Sequence, residues 1–143
     1  MTASNTGSIQ ANLPELIACL AAQFGTVAAI LFGSAAAGRL RPESDLDLAL
    51  LFDYEQVPDE FAVLEMRAAL EQCARRGVDL IVLNRASPVL AFQAVKKGQL
   101  LLGGNSAAYQ RYLVRLISEY ADFKRIRRPI EEAVLQRRIY DGA

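Results

Sequence analysis

Three short aliphatic runs, TVAAILF (26–32), SDLDLALLF (44–52) and VDLIVLN (78–84), are separated by stretches with helical spacing. Each run has the length of a strand and is too short for a buried helix. Strands that alternate with helices confine the chain to the α/β or α+β class. At 143 residues and 52% apolar composition, a single domain over 1–143 buries one core without staples.

The flanking elements follow from capping and breaking residues. Residues 1–9 are small and polar and are expected to be disordered. Asn12 is a candidate N-cap for a helix that carries Leu13, Leu16, Ile17, Leu20, Ala21 and Phe24 and stops at Gly25. SAAAGRL predicts a brief helix that begins at Ser34. Pro58 opens a helix with Phe61, Leu64, Ala68 and Ala69 inward and Gly77 at its end. Ser87-Pro88 reads as N-cap and first helical residue of a helix that runs to Lys97 and stops at Gly98. QLLLG (99–103) predicts a fourth strand. From Ser106 a long helix carries Leu113, Leu116, Ile117, Tyr120 and Phe123; Pro129 is expected to kink or break it before a last helix with Ile130, Val134, Leu135 and Ile139. These C-terminal helices, 106–143, are expected to pack on the domain.

Composition excludes several classes. Lys plus Arg and Asp plus Glu both number 16, so no global field attracts a polyanion, and no direct nucleic-acid partner is expected. With two cysteines, no CxxC and no histidine, the chain has no zinc site; Cys19 and Cys73 read as reduced thiols. No signal-peptide pattern and no apolar run near the roughly 20 residues of a membrane helix is present. A cytoplasmic protein without a membrane partner is the expectation.

The chemistry concentrates in LFGSAAAGRLRPESDLDLALLFD (31–53). Residues i and i+2 of a strand share a face, so Asp45 and Asp47 project together, roughly 6.6 Å apart at Cα. Leu46, Leu48 and Leu50 take the other face and pack. Two carboxylates on one half-buried face repel, and a divalent cation removes the conflict. Mg²⁺ favours carboxylate oxygens and keeps room for phosphate oxygens. In VDLIVL, Asp79 lies on the face opposite Val78, Leu80 and Val82. If that strand neighbours the second, three carboxylates meet, a set suited to two-metal phosphoryl or nucleotidyl transfer. Gly33-Ser34 follows a strand and opens a predicted helix, whose N-terminal N–H groups suit phosphate. Gly38 keeps the turn slim, and Arg39 and Arg41 are placed to reach phosphate oxygens. Ser44, next to Asp45, joins the nucleotide-binding candidates.

Taken singly, each feature has a plain structural reading: a strand-to-helix turn, an edge strand with a wet face, a cap, solvated arginines. Taken together they do not, because at residue frequencies of roughly 5 to 7% Gly-Ser, ten residues, then Asp-x-Asp arises by chance in about one such chain in several hundred.

Gly33-Ser34, ten residues, Asp45-Leu46-Asp47 and then Asp79 resemble the signature of the DNA polymerase β-like nucleotidyltransferase superfamily. The short length is similar to its minimal nucleotidyltransferase group. VDLIVLNRASPVLAFQAVKKGQLLL resembles more narrowly the MntA-type antitoxins, which pair with HepT-type HEPN-domain toxins. The resemblance covers about Leu13 to Lys124. It implies a small mixed sheet flanked by helices. It implies that Asp45 and Asp47 bind two Mg²⁺ ions, that Asp79 completes the metal site and helps to deprotonate the acceptor, and that Gly33 and Ser34 hold the β and γ phosphates of ATP. It implies transfer of AMP to a tyrosine of a cognate HEPN toxin. The Ala35-Ala36-Ala37 run departs from relatives with a larger or basic residue there. Two other functions compete: transfer to a small-molecule hydroxyl, and neutralisation of a toxin by binding alone. The basic segment FKRIRRPIEEAVLQRR (123–138) reads either as a surface for toxin or nucleotide or as a solvated helix face.

Overall fold

A computed structural model describes residues 14–20, 25–33, 36, 38 and 44–141, with side chains described as far as Arg125. Four strands, β1 (Thr26–Phe32), β2 (Leu46–Phe52), β3 (Val78–Val82) and β4 (Gln99–Leu102), form one sheet in the order β3-β2-β1-β4. β1 pairs antiparallel with β2 and with β4, whereas β2 and β3 are parallel. A parallel pair needs a crossover. Helix α2 (Glu60–Ala74) supplies it, and α3 (Pro88–Lys97) links β3 to β4. Helix α1 covers residues 14–20, and α4 (Ala107–Asp141) follows β4. The expected mixed sheet flanked by helices is the observed architecture.

The sheet is packed on both faces. On one, Leu46, Leu48, Leu50 and Phe52 of β2 meet Leu16 and Leu20 of α1, Leu70 of α2 and Val78 of β3. On the other, Ala49 and Leu51 of β2 and Ala28 and Ile30 of β1 meet Ala91 and Ala94 of α3 and Tyr109, Tyr112 and Leu116 of α4. β2 is therefore a central strand buried on both faces, which explains its nearly continuous run of aliphatic residues. Each fully buried leucine contributes about 1.5–3 kcal/mol. Asn84 extends the seam between β2 and β3, accepting from Phe52 N (2.9 Å) and donating to Phe52 O (2.8 Å).

Caps follow the sequence closely. Ser87 Oγ accepts from Leu90 N (3.3 Å), with Pro88 opening α3, and Ser106 Oγ accepts from Tyr109 N (3.0 Å). Asp59, one residue past Pro58, caps α2 by accepting from Ala62 N (2.8 Å).

Three expectations are corrected. Phe61, Leu64 and Ala68 do not face inward: Phe61 is 80% exposed and Leu64 59%. α2 carries two apolar stripes, and the one packed on the sheet is Val63, Met66, Leu70, Cys73 and Ala74, the stripe in phase with Leu70 over β2 and β3. α2 is ended by Arg75, which takes the left-handed conformation (φ 58°), rather than by Gly77. α4 passes through Pro129 without breaking. A proline removes one backbone donor, and a helix of 35 residues keeps ordered turns on both sides of it. On α4, Leu113 and Leu116 pack as expected, while Ile117 is 59% exposed and Phe123 stands at the surface. The expected Asn12 cap, the start of the first helix at Leu13, the brief helix from Ser34, and the side chains from Ile130 onward lie outside the described residues.

Candidate active site

The parallel pairing of β2 with β3 places Asp47 directly beside Asp79 in register. Asp45 stands immediately before β2, and on the other side Asp47 pairs with Phe32, the last residue of β1. Asp47 shares its face of β2 with Ala49 and Leu51, which α3 and α4 cover, and is itself half-buried. Asp45, Asp47 and Asp79 thus stand at the amino ends of two neighbouring strands, next to the carboxyl end of a third.

Their electrostatics are strained in the expected sense. Burial, then the charge of Asp79, then that of Asp45 push the Asp47 carboxyl above its ordinary value. Like charges brought together without a counter-charge disfavour ionisation. Among the described residues no three acidic side chains close into a ready-made ligand set. The donors nonetheless suit a hard divalent cation, because all are carboxylate oxygens.

Two glycines make room for these carboxylates. A Cβ on Gly33 would overlap Asp47 Oδ2 and stand 3.1 Å from its Cγ, and Gly33 also takes a positive φ of 73°. A Cβ on Gly77 would overlap Asp45 Oδ1 and stand 2.9 Å from its Cγ. The lead-in to β2 is tied to the end of α2: Leu46 N donates to Gly77 O (2.9 Å) and Arg76 Nη1 donates to Ser44 O (3.3 Å). Glu71 Oε2, on the last turn of α2, accepts from Val78 N (3.1 Å) and so sets the start of β3.

The structure therefore brings together Asp45, Asp47, Asp79 and Gly33, with Ser44 beside them. Gly38 is an exposed turn residue with a positive φ of 73°. Ser34, Arg39 and Arg41 lie outside the described residues. Sequence reasoning missed Gly77, which it took as a helix stop, and Glu71; the available signal was a glycine two residues before a strand aspartate. A cavity of about 580 Å³ opens at the opposite end of β2, lined by Phe52, Asp53, Tyr54, Asn84, Arg111 and Arg115 among others. Its acids and bases are mixed and offset one another, so the concentrated negative charge that invites a metal lies with the aspartates. Tyr109 and Tyr112 are buried in the core and Tyr120 stacks on Phe92 (centroids 4.0 Å apart), so all three pack.

Comparison with known proteins points the same way. Residues 15–107 match the model of the family described as polymerase beta, nucleotidyltransferase. A toxin–antitoxin crystal structure with AMP-PNP is similar over 87% of this chain and 98% of its own, at 30% identity and a TM-score of 0.76. An MNT antitoxin in complex with a tri-AMPylated HEPN toxin of Shewanella oneidensis is similar at 28% identity, over 88% of this chain and 98% of its own, with a TM-score of 0.71. A toxin–antitoxin structure described as MntA-HepT has the same identity, coverage and TM-score. No curated protein matches this sequence.

Proposed function

We propose, since the chain belongs to the polymerase β nucleotidyltransferase family, that it is an antitoxin that transfers AMP from ATP to a tyrosine of a cognate HEPN-domain toxin. The observation that carries the reading is the register of Asp47 against Asp79, with Asp45 alongside and Gly33 at the end of β1. The similarity to a toxin–antitoxin structure with AMP-PNP supports an adenine nucleotide. The similarity to a complex whose HEPN toxin is tri-AMPylated supports a protein acceptor. The cytoplasm, which holds ATP, is the setting this reading requires; among the described residues no helix is long and apolar enough to cross a membrane.

In this reading Asp45, Asp47 and Asp79 would hold Mg²⁺. When bound, the metal supplies charge neutralisation at the triphosphate and a more acidic acceptor hydroxyl. The chain's residues do the rest. Gly33, with no side chain, lets the phosphates approach the end of β1, and Ser34 offers them a donor. Arg39 and Arg41 supply cationic donors to the triphosphate, flanked by Gly38 and Ser44. Asp79 accepts the proton of the tyrosine hydroxyl. The oxygen–Pα bond forms as the Pα–O bond to the β-phosphate breaks, and pyrophosphate leaves.

The test is intact-mass spectrometry of the partner HEPN protein after incubation with this chain, Mg²⁺ and each nucleoside triphosphate. A gain of one or more AMP units with ATP, absent with Asp45→Ala, is expected; undiminished transfer by Asp45→Ala refutes the assignment. One observation favours a second reading, neutralisation by occlusion: Tyr54, Phe61 and Leu64 leave apolar surface exposed. A stable complex with no mass gain would establish it.

A further inference from the structure

Gly77 has no backbone reason to be glycine. Its φ is not in the left-handed region, which at the end of α2 is occupied by Arg75. What the glycine provides is space: a Cβ there would overlap Asp45 Oδ1 and lie 2.9 Å from Asp45 Cγ. The same residue's carbonyl accepts from Leu46 N at 2.9 Å, so its distance from the first residue of β2 is fixed by a hydrogen bond. Arg76 adds a second tie, to Ser44 O at 3.3 Å. The Gly77 carbonyl and the Arg76 side chain thus hold the backbone of 44–46, and the carboxylate between the two ties lies against the bare Cα of Gly77. Asp45 is otherwise exposed and, as the residue before β2, has no strand partner to fix it.

We infer that Gly77 is a positioning residue for the transfer reaction: the missing side chain at this position seats the Asp45 carboxylate beside Asp47, where it takes part in metal binding. The inference rests on the metal-dependent reading above. It predicts a specific failure. With a methyl group at position 77 the exposed carboxylate swings outward, at little cost to the fold, and the ligand set loses one member.

The experiment titrates Mn²⁺ into the protein saturated with AMP-PNP and follows binding by electron paramagnetic resonance. Thermal melts are recorded for parent, Gly77→Ala, Asp45→Ala and the double variant. The expected result is a Mn²⁺ dissociation constant raised at least tenfold in Gly77→Ala, with the double variant no weaker than Asp45→Ala. Any loss of melting temperature caused by Gly77→Ala should vanish when Asp45 is alanine, because the overlapping atoms are gone. Unchanged Mn²⁺ affinity in Gly77→Ala overturns the inference. So does an equal loss of melting temperature in both backgrounds, which would make the glycine a requirement of the fold alone; should Gly77→Ala fail to fold, this comparison still decides. A parent that binds no Mn²⁺ overturns the metal-dependent reading itself, a result distinct from the other two.

Discussion

Gly33→Ala introduces one methyl group and two separable costs. The first is conformational: at φ 73° an L-residue with a Cβ pays about 1–2 kcal/mol. The second is contact: the methyl overlaps Asp47 Oδ2, and the carboxylate oxygen must withdraw by about 1 Å, a displacement that costs on the order of 10²-fold in rate when it falls on reacting groups. Gly25 provides the control. It lies at the other end of β1 with a φ of 61°, and among the described residues a Cβ there would meet only Gln56 Oε1, at an ordinary 3.4 Å. Both variants should therefore lose a similar 1–2 kcal/mol in denaturant unfolding, roughly the backbone cost. Only Gly33→Ala should lose AMP transfer, by about 10²-fold or more at saturating ATP, equivalent to roughly 2.7 kcal/mol of barrier. Unfolding curves and single-turnover labelling of the HEPN partner provide the two readouts. If Gly25→Ala loses transfer as severely as Gly33→Ala, or if Gly33→Ala transfers at the parent's rate, the placement of Asp47 by Gly33 is wrong.

Two further outcomes follow from the titration behaviour of the core and the site. The Asp47 carboxyl binds its proton more tightly folded than unfolded, so its contribution to stability is present below the unfolded carboxylate pKa, about 4, and is lost as pH rises through the folded value. Asp47→Asn should thus raise the melting temperature of the metal-free protein at pH 7 and leave it unchanged near pH 3; a lower melting temperature at pH 7 would contradict this. Cys19 is pushed up to about 11 by burial, by its hydrogen bond to Cys73 and by the charge there, which makes its thiolate fraction roughly a hundredfold smaller than that of a free thiol. At pH 8 iodoacetamide should label the half-buried Cys73 and spare Cys19 until denaturant is added, as peptide mapping would show, and equal labelling of both in the native protein would refute the packing.

Much of the site was legible because its parts obey strand periodicity. The i, i+2 spacing of Asp45 and Asp47 and the leucines between them fix which side chains pack, and the structure buries Leu46, Leu48 and Leu50 as that spacing requires. Periodicity is silent on which strand lies beside which. The meeting of Asp47 with Asp79 depends on a parallel pairing across the 15-residue helix α2, and no local pattern encodes it. The phase of α2 was illegible for a related reason. Its two apolar stripes look alike in the sequence, and only contact with Leu48 and Val78 selects the one through Leu70. Gly77 was misread because a glycine after a helix is usually a stop signal. Here Arg75 takes the left-handed turn, and the glycine makes room for a side chain more than thirty positions earlier.

Among the described residues β3 forms one margin of the sheet, with a single hydrogen-bonded neighbour. Its five residues, Val78–Val82, are aliphatic apart from Asp79. An open aliphatic margin is a template for strand addition by other chains, and a charge within it is one of the ways proteins prevent this. Asp79 is exposed there, so the same carboxylate that borders Asp47 also puts a charge on the margin. Neutralising it with an aliphatic residue would leave VVLIV as an uninterrupted sticky edge. An Asp79→Val protein would then precipitate or form higher assemblies for reasons unrelated to chemistry, whereas Asp79→Asn silences the charge and keeps the edge polar.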